Sequence, residues 1–201
     1  YPVVLKLSSG AGSSIVRLVR SFSDARRWIA RLFGPGVRVL DEVDRRARDT
    51  HRLVRTALRR WAKGRAPSFI SIDLWAVHKD YVIFQEYLPG NTYDTRVTVI
   101  GDRAFGFRRF NRPNDFRASG RGRLDIDASK IAPAFIALAF DVARTLGLQS
   151  CAMDGLWRGD RPVIGEISYA YVSSAVHPCP GHWTASMEWR DAQLWPEEAQ
   201  M

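Results

Sequence analysis

A chain of 201 residues, 46% hydrophobic and 11% aromatic, can bury a core as one domain or as two small lobes, which excludes a disordered protein. No apolar run approaches the roughly 20 residues that a membrane-spanning helix needs. The net charge of +9 is regional, because Arg17 to Arg65 holds 15 Lys and Arg against 5 Asp and Glu and the rest is near neutral, which argues against a nucleic-acid binder as a whole.

The cysteine count and the start of the chain predict a cytoplasmic protein. Cys151 and Cys179 are too few for a disulfide framework, so we interpret them as reduced thiols, with a single disulfide as the alternative. The chain opens on Tyr1 without an initiating Met or a secretory leader. We therefore expect a piece of something longer or a trimmed chain, with no membrane among its partners.

The first segment predicts a strand followed by a glycine-rich loop. Residues 2–7 alternate and are rich in β-branched side chains, which predicts a strand ending near Lys6. Residues 8–14 are small, and residues 15–19 are apolar again. This order is typical of a phosphate cradle, because glycine lets backbone N–H groups approach an anion closely. No Gly-Lys-Ser/Thr follows, so it is not a Walker motif, and an ordinary hairpin loop is the alternative.

Two helices are predicted next. Ser23 is the predicted N-cap of a helix over residues 24–33, which a Gly-Pro-Gly sequence ends. Residues 41–63 predict a longer helix, with an apolar stripe on one side and arginines on the others. We interpret the basic face as solvent-exposed. An acidic partner, nucleic acid or an anionic membrane surface is the alternative.

The remaining elements are predicted to be strands, with one helix among them. The predicted strands are residues 69–77, 81–87, 95–100, 103–110, 151–157 and 162–168. The strands over 95–100 and 103–110 form a hairpin around Gly101 and Asp102, and those over 151–157 and 162–168 form a second hairpin. Residues 128–146 predict a helix that ends at Gly147.

The second hairpin places two acids, Asp154 and Glu166, on facing strands among apolar residues. A half-buried carboxylate is costly unless it is paired or binds a cation. Carboxylate oxygens suit Mg²⁺, which completes its shell with water and nucleotide phosphates. The alternative is that each acid is bonded to a nearby arginine, with Arg109 and Arg117 available.

Arginines are concentrated in the first hairpin and in the loop after it. The four are Arg96, Arg108, Arg109 and Arg117. Guanidinium groups held in place suit phosphoryl oxygens and charge that develops during transfer. The alternative is ion pairing with the acids nearby, Asp94, Asp102 and Asp115. Residues 177–182 hold two histidines and a cysteine, which we interpret as a structural loop and not as a metal site.

These sequences, taken in order, resemble the ATP-grasp superfamily. The resemblance is carried by residues 2–6 with the Ser/Gly loop, Gln85-Glu86-Tyr87, Asp94-Thr95-Arg96, Arg109, Asp115-Phe116-Arg117-Ala118-Ser119-Gly120, Asp154 and Glu166-Ile167-Ser168. The chain looks closest to the branch of glutathione synthetase-like and glutamate-adding ligases, and within it to bacterial proteins with DFRASG and EISY-type motifs. The resemblance extends from Pro2 to about Trp189.

The resemblance implies an α+β fold of two small lobes gripping Mg·ATP, with residues 1–88 as one lobe and 89–201 as the other. It implies a ligase that phosphorylates a carboxylate and then joins it to an amine or another nucleophile. The implied nucleotide contacts are Lys6, Ser9, Gly10, Gly12, Ser13, Gln85, Glu86, Tyr87, Leu88, Asp94 and Arg96. Arg109 would reach the γ-phosphate, Arg117 would lie near the acceptor, and the Mg²⁺ ligands would be Asp154, Glu166 and Ser168.

The chain departs from the family at two points. Relatives usually have Asn where this chain has Ser168, and an N-terminal domain that helps to bind the substrate is expected to be missing here. A second copy of the chain or that N-terminal domain is therefore an expected partner, beside ATP and an unknown carboxylate and amine. The alternative function is a nucleotide-binding or scaffold module of weak activity, whose basic helix binds an acidic partner or nucleic acid.

Overall fold

The structure, a computed structural model, describes residues 1–7, 16–40, 75–118 and 123–200. It is a mixed α+β protein with mainly antiparallel sheet and few helices in the described part of the chain, which confirms the α+β class that was predicted. The chain divides into two compact units, Tyr1–Tyr87 and Leu88–Met201. Among the described residues, no helix is long and apolar enough to cross a membrane.

The first unit contains a three-stranded antiparallel sheet, a two-stranded sheet and a helix. Its elements are β1 (Val3–Lys6), β2 (Val16–Val19), α1 (Phe22–Leu32), β3 (Val37–Leu40), β4 (Trp75–His78) and β5 (Ile83–Glu86). The strand order is β2-β1-β5 in the larger sheet, and β3 pairs with β4. Leu5 and Val19 of the sheet pack with Ala25 and Leu32 of α1, which forms the core of this unit.

The first unit confirms the strand predicted over residues 2–7, shows that the apolar segment after the loop is also a strand, β2, and corrects the N-cap of the helix. The cap is Ser21 and not Ser23: Ser21 has extended backbone, and its hydroxyl accepts a hydrogen bond from the Asp24 N–H at 3.2 Å. Ser23 already lies inside α1, where a residue cannot act as the cap. The sequence did not predict β3, which is only four residues long.

Several predictions fall wholly or partly on residues that the structure does not describe. The glycine-rich loop over 8–14, the basic helix over 41–63 and the first part of the strand over 69–77 lie outside the described residues. The described end of that last strand is β4, which continues to His78. The strand predicted over 81–87 is β5, and it pairs with β1.

The second unit contains one antiparallel sheet with helices on it. Its elements are β6 (Tyr93–Ile100), β7 (Arg103–Phe110), β8 (Leu124–Asp125), α2 (Pro133–Leu146), β9 (Ser150–Arg158), β10 (Arg161–Ser168), α3 (Ser173–Val176), β11 (His182–Thr184), β12 (Trp189–Arg190) and α4 (Pro196–Ala199). The strand order is β10-β9-β6-β7-β11-β12, and β8 pairs with β7. The two predicted hairpins are confirmed as β6–β7 and β9–β10.

The sheet of the second unit is covered on both faces. On one face, Val97, Val99 and Met153 pack with buried residues of α2 such as Phe135 and Ala139. The other face carries Phe105 and Phe107, which pack with Val176, Cys179 and Ala199 in the region of α3 and α4. Because side chains alternate along a strand, the residues of β6 that alternate with Val97 and Val99 lie on this second face, namely Asp94, Arg96 and Thr98.

The helix predicted over 128–146 is interrupted. A 3₁₀ helix covers Ala128–Lys130, and α2 begins only at Pro133, after Ala132 with extended backbone. Proline at the first helical position is favourable because it has no N–H to satisfy, and it keeps the residue before it out of the helix. The predicted end is confirmed, since Gly147 caps α2 in the left-handed conformation.

Candidate functional site

The pairing of three central strands collects four charged side chains on the sheet face opposite α2. In the ladder of β6 and β7, Asp94 lies directly opposite Arg109. In the ladder of β6 and β9, Arg96 lies directly opposite Asp154. Directly opposed residues of an antiparallel pair project from the same face, so the four side chains meet there. We call Asp94, Arg96, Arg109 and Asp154 the tetrad.

Each arginine of the tetrad makes a two-point contact with one aspartate. Arg96 donates from Nε and Nη2 to the two carboxylate oxygens of Asp154, at 2.7 and 2.8 Å. Arg109 donates in the same way to Asp94, at 2.7 and 2.5 Å. Arg109 Nη2 also lies 2.6 Å from Asp154 Oδ2, which joins the two pairs. The tetrad is therefore a connected network with two positive and two negative charges.

The tetrad is mostly buried, and the pKa values of its two carboxylates are shifted in opposite directions. Burial raises the pKa of Asp94 above its ordinary value, against the hydrogen bonds from Arg109. Burial also acts to raise the pKa of Asp154, but the hydrogen bonds from Arg96 and the charge of Arg109 outweigh it and lower that pKa. The arginines therefore favour the charged form of Asp154, whereas burial favours the neutral form of Asp94.

Two further predicted residues lie on β10 beside the tetrad. Glu166 is directly opposite Asp154 in the ladder of β9 and β10, which confirms that the two acids lie on facing strands. Ser168 is opposite Ala152. Its hydroxyl donates to the carbonyl of Ala170 at 2.7 Å, which closes a tight turn at the end of the strand. The backbone thus brings Glu166 and Asp154 together and uses the hydroxyl of Ser168 locally.

The donor chemistry of Asp154 and Glu166 suits a hard divalent cation, since both offer carboxylate oxygens from adjacent strands. Both oxygens of Asp154 already accept hydrogen bonds from Arg96. No group of three or more His, Cys, Asp or Glu residues suited to a metal ion occurs in the described part of the chain. The two acids fit Mg²⁺ by ligand type. A cation would compete with the guanidinium groups for the oxygens of Asp154.

The other arginines of this region form separate ion pairs. Arg117 donates to Asp115 in the loop after β7, with Nη2 2.6 Å from Oδ2. Arg108 points from the opposite face to Arg109, and it pairs with Asp125 of β8 and lies 4.8 Å from the centre of the Tyr93 ring. The alternative interpretation of the arginines, ion pairing with nearby acids, therefore describes Arg109 and Arg117.

The predicted nucleotide contacts of the first unit lie on β1 and β5. Lys6 is opposite Ile83, Gln85 is opposite Val4, and Glu86 is opposite Val3. Tyr87 ends this unit and Leu88 begins the second, where its carbonyl accepts a hydrogen bond from Asn91 at 3.2 Å. The remaining predicted contacts, Ser9, Gly10, Gly12 and Ser13, lie outside the described residues.

The histidines and cysteine of residues 177–182 are used in packing. His177 stacks on Trp195 with a centroid distance of 3.8 Å. Cys179 is buried, and its thiol lies 3.6 Å from the carbonyl of Gly106. The buried His182 packs beside Phe105 at 5.5 Å. Cys151 and Cys179 are both free thiols, so the alternative of a disulfide between them was wrong.

Sequence reasoning missed the contact between Arg96 and Asp154, which are 58 residues apart. The arginines predicted as alternative partners of the acids were Arg109 and Arg117; Arg109 does contact Asp154, whereas Arg117 bonds Asp115. Arg96 was missed as a partner of Asp154 because nothing local indicates that β9 lies beside β6. It also missed Asn91, whose side chain bonds both backbone groups of Trp157 and so joins the start of β6 to the end of β9. No sequence pattern identifies such a residue.

The guanidinium groups of Arg96 and Arg109 are suited to binding an anion. The carboxylates of Asp154 and Glu166 are suited to binding a cation. No protein-family model matches the chain, and no curated protein matches it.

Proposed function

We propose that the chain is an ATP-dependent ligase of the ATP-grasp type, which joins a carboxylate to an amine or another nucleophile. The observation that supports this most is the tetrad. It gathers Asp94, Arg96, Arg109 and Asp154 on one sheet face, with Glu166 opposite Asp154 in the next strand. These are the residues to which the ATP-grasp resemblance assigns contacts with nucleotide, phosphate and metal.

Each residue has a proposed role that suits its chemistry. Asp154 and Glu166 hold Mg²⁺, which when bound neutralises charge on the phosphates of ATP. Arg109 orients the γ-phosphoryl group, and its two bonds to Asp94 keep it in one position. Arg117 contacts the acceptor from the loop after β7. Lys6 and residues 85–88 hold the nucleotide.

The proposed reaction needs no nucleophilic side chain. An oxygen of the substrate carboxylate attacks the γ-phosphorus, the bond to the β–γ bridging oxygen breaks, and ADP leaves. The amine nitrogen then attacks the carbonyl carbon of the acyl phosphate, phosphate leaves, and the nitrogen loses a proton. In this proposal the protein positions the substrates and supplies positive charge where negative charge develops, and Arg109 provides that charge.

The test is calorimetric titration with ATP, in magnesium and in EDTA. We expect the affinity of the wild type for ATP to rise at least about tenfold with magnesium, and the Asp154→Asn/Glu166→Gln variant to lose that dependence. Asp141→Asn, on the exposed surface of α2, is the matched control and keeps the dependence. A wild type that binds no ATP in magnesium, or a double variant with unchanged magnesium dependence, would contradict the proposed function.

The acceptor is tested separately by ADP release across carboxylates and amines. Release that depends on one particular pair of substrates identifies the ligase reaction. The screen covers amino acids and sugar acids as the carboxylate and amine substrates. ATP binding without release in the presence of any pair favours the second candidate below.

The second candidate is a nucleotide-binding or scaffold module without ligase activity. It is favoured by the arginines bonded to both oxygens of Asp154 and by the local use of the Ser168 hydroxyl. The basic helix predicted over residues 41–63 would then bind an acidic partner or nucleic acid. Strongly salt-dependent RNA binding without ATP turnover would support this candidate over the first.

A further inference from the structure

We propose that Arg96 and Arg109 cap Asp154 in the ligand-free protein and exchange it for nucleotide phosphate, so that phosphate and a divalent cation bind with positive coupling. This inference rests on the proposed function and concerns the order and interdependence of binding. It assigns Arg96 to the capping of a metal ligand, whereas the resemblance assigns it only to the nucleotide.

The capped state follows from the contacts of Asp154. Its two oxygens accept from Arg96, and one of them also lies 2.6 Å from Arg109 Nη2. Its side chain is only 13% exposed, so water does little to weaken the neighbouring charges. A cation arriving alone meets two guanidinium charges within bonding distance of its ligand. We therefore expect a divalent metal alone to bind weakly.

The same contacts limit binding of an anion. A phosphate arriving alone draws the guanidinium groups away from Asp154, which leaves a buried carboxylate without a partner. Removing one partner of a buried ion pair is strongly unfavourable, because the other charge stays desolvated. When phosphate and cation arrive together, the arginines pass to the phosphate and Asp154 passes to the cation. Every charge then has a partner.

The two arginines have different parts in this exchange. Arg109 is held to Asp94 through Nε and Nη2 and contacts Asp154 through Nη2 alone. It can leave Asp154 while its own position is kept. Both donors that link Arg96 to the tetrad go to Asp154, so Arg96 is the main cap and Asp94 a positioning residue for Arg109.

The experiment measures each ligand alone. Metal-free ATP is titrated in EDTA by calorimetry, and Mn²⁺ alone is titrated by the loss of its free electron paramagnetic resonance signal. Asp154→Asn releases the arginines, so we expect it to bind metal-free ATP at least about tenfold more tightly than the wild type. Arg96→Gln releases Asp154, so we expect it to bind Mn²⁺ alone at least about tenfold more tightly.

Matched controls account for the change in net charge. Asp141→Asn and Arg190→Gln alter exposed ion pairs away from the tetrad and should leave both affinities within about twofold of the wild type. Circular dichroism checks that each variant folds. If Arg96→Gln does not fold, Arg96→Lys keeps the charge without the two-point contact and is expected to bind Mn²⁺ more tightly than the wild type. The Asp154→Asn titration is independent of that variant.

The outcomes separate this inference from the proposed function. If the wild type binds ATP in a magnesium-dependent way but Asp154→Asn gains no affinity for metal-free ATP, the capping is wrong and the function stands. If neither protein binds ATP in magnesium or in EDTA, both are wrong. Tighter metal-free ATP binding by Asp154→Asn, with both controls unchanged, supports the exchange.

Discussion

Arg109 is the residue that joins the two halves of the tetrad, since it contacts both Asp94 and Asp154. Arg109→Gln leaves two buried carboxylates with one arginine between them. We expect it to lower the free energy of unfolding by about 3–5 kcal/mol, the usual loss when one partner of a buried ion pair is removed. Urea unfolding followed by circular dichroism measures this.

The double variant Arg109→Gln/Asp94→Asn is the control for that prediction. It removes the carboxylate that Arg109→Gln strands, so its loss of stability should be smaller than the sum of the two single losses, by about 0.5–3 kcal/mol. Losses that simply add would show that the two side chains act independently, against the geometry of the pair.

The pair of Asp125 and Arg108 predicts a pH dependence. The hydrogen bond from Arg108, with help from the Asp127 N–H, lowers the pKa of Asp125 from its ordinary value of 3.8. Because the pKa is lower in the folded state, the pair stabilises the fold fully at pH values above the ordinary pKa of 3.8. The stabilisation is lost as the pH falls through the pKa of the folded state. Wild type minus Asp125→Asn should thus give a stability difference that is constant from about pH 7 to 5 and shrinks below about pH 4. Urea unfolding across this range measures it, and a difference independent of pH would contradict the pairing.

At the scale of elements, the contact of α2 with the sheet depends on a glycine in β9. A Cβ on Gly155 would lie 2.5 Å from two ring atoms of Phe135, so Gly155→Ala must displace the helix or the ring. We expect a loss of about 1–3 kcal/mol. Gly165→Ala, on the adjacent strand, meets its nearest atom at 3.4 Å and should cost less. Thermal unfolding compares the two, and equal losses would place α2 further from the sheet than described.

The N-cap of α1 can be tested in the same way. Ser21→Ala removes the acceptor for the Asp24 N–H and should cost about 1 kcal/mol. Ser23→Ala changes a residue inside the helix and should cost less. Urea unfolding of the two variants distinguishes them. A larger loss for Ser23→Ala would restore the cap that the sequence predicted.

The predictability of the elements follows their length and their turns. The hairpin of β6 and β7 was predicted because eight-residue strands surround a Gly-Asp turn, and both signals are local. The four-residue β3 was missed, since it has too few residues for alternation to stand out. Ser21 and Ser23 are equally good caps by residue type. Only their backbone conformation separates them.

For the whole second unit, the two cysteines report on the integrity of the sheet from its two faces. Cys151 lies in the core beneath α2, and Cys179 lies in the core on the other face. Burial raises the pKa of Cys151 and raises that of Cys179 to about 12, so neither forms a reactive thiolate near neutral pH. We expect Ellman's reagent to modify neither thiol in the native protein and both in a single urea transition. Modification of one thiol before the other would mean that the two faces open separately.

The sequence predicted which residues form the candidate site, but only some of the contacts between them. The sequence by itself determined the α+β class, the two hairpins and the location of Asp154 and Glu166 on facing strands, because alternation and turn residues act over a few positions. A register shift between Ile164 and Glu166, which alternation does not predict, places Glu166 directly opposite Asp154. The tertiary structure alone decided that β9 lies beside β6, and with it that Arg96 bonds Asp154. The physical reason is that pairing between strands far apart in the chain depends on how whole surfaces pack, and no local pattern encodes that choice.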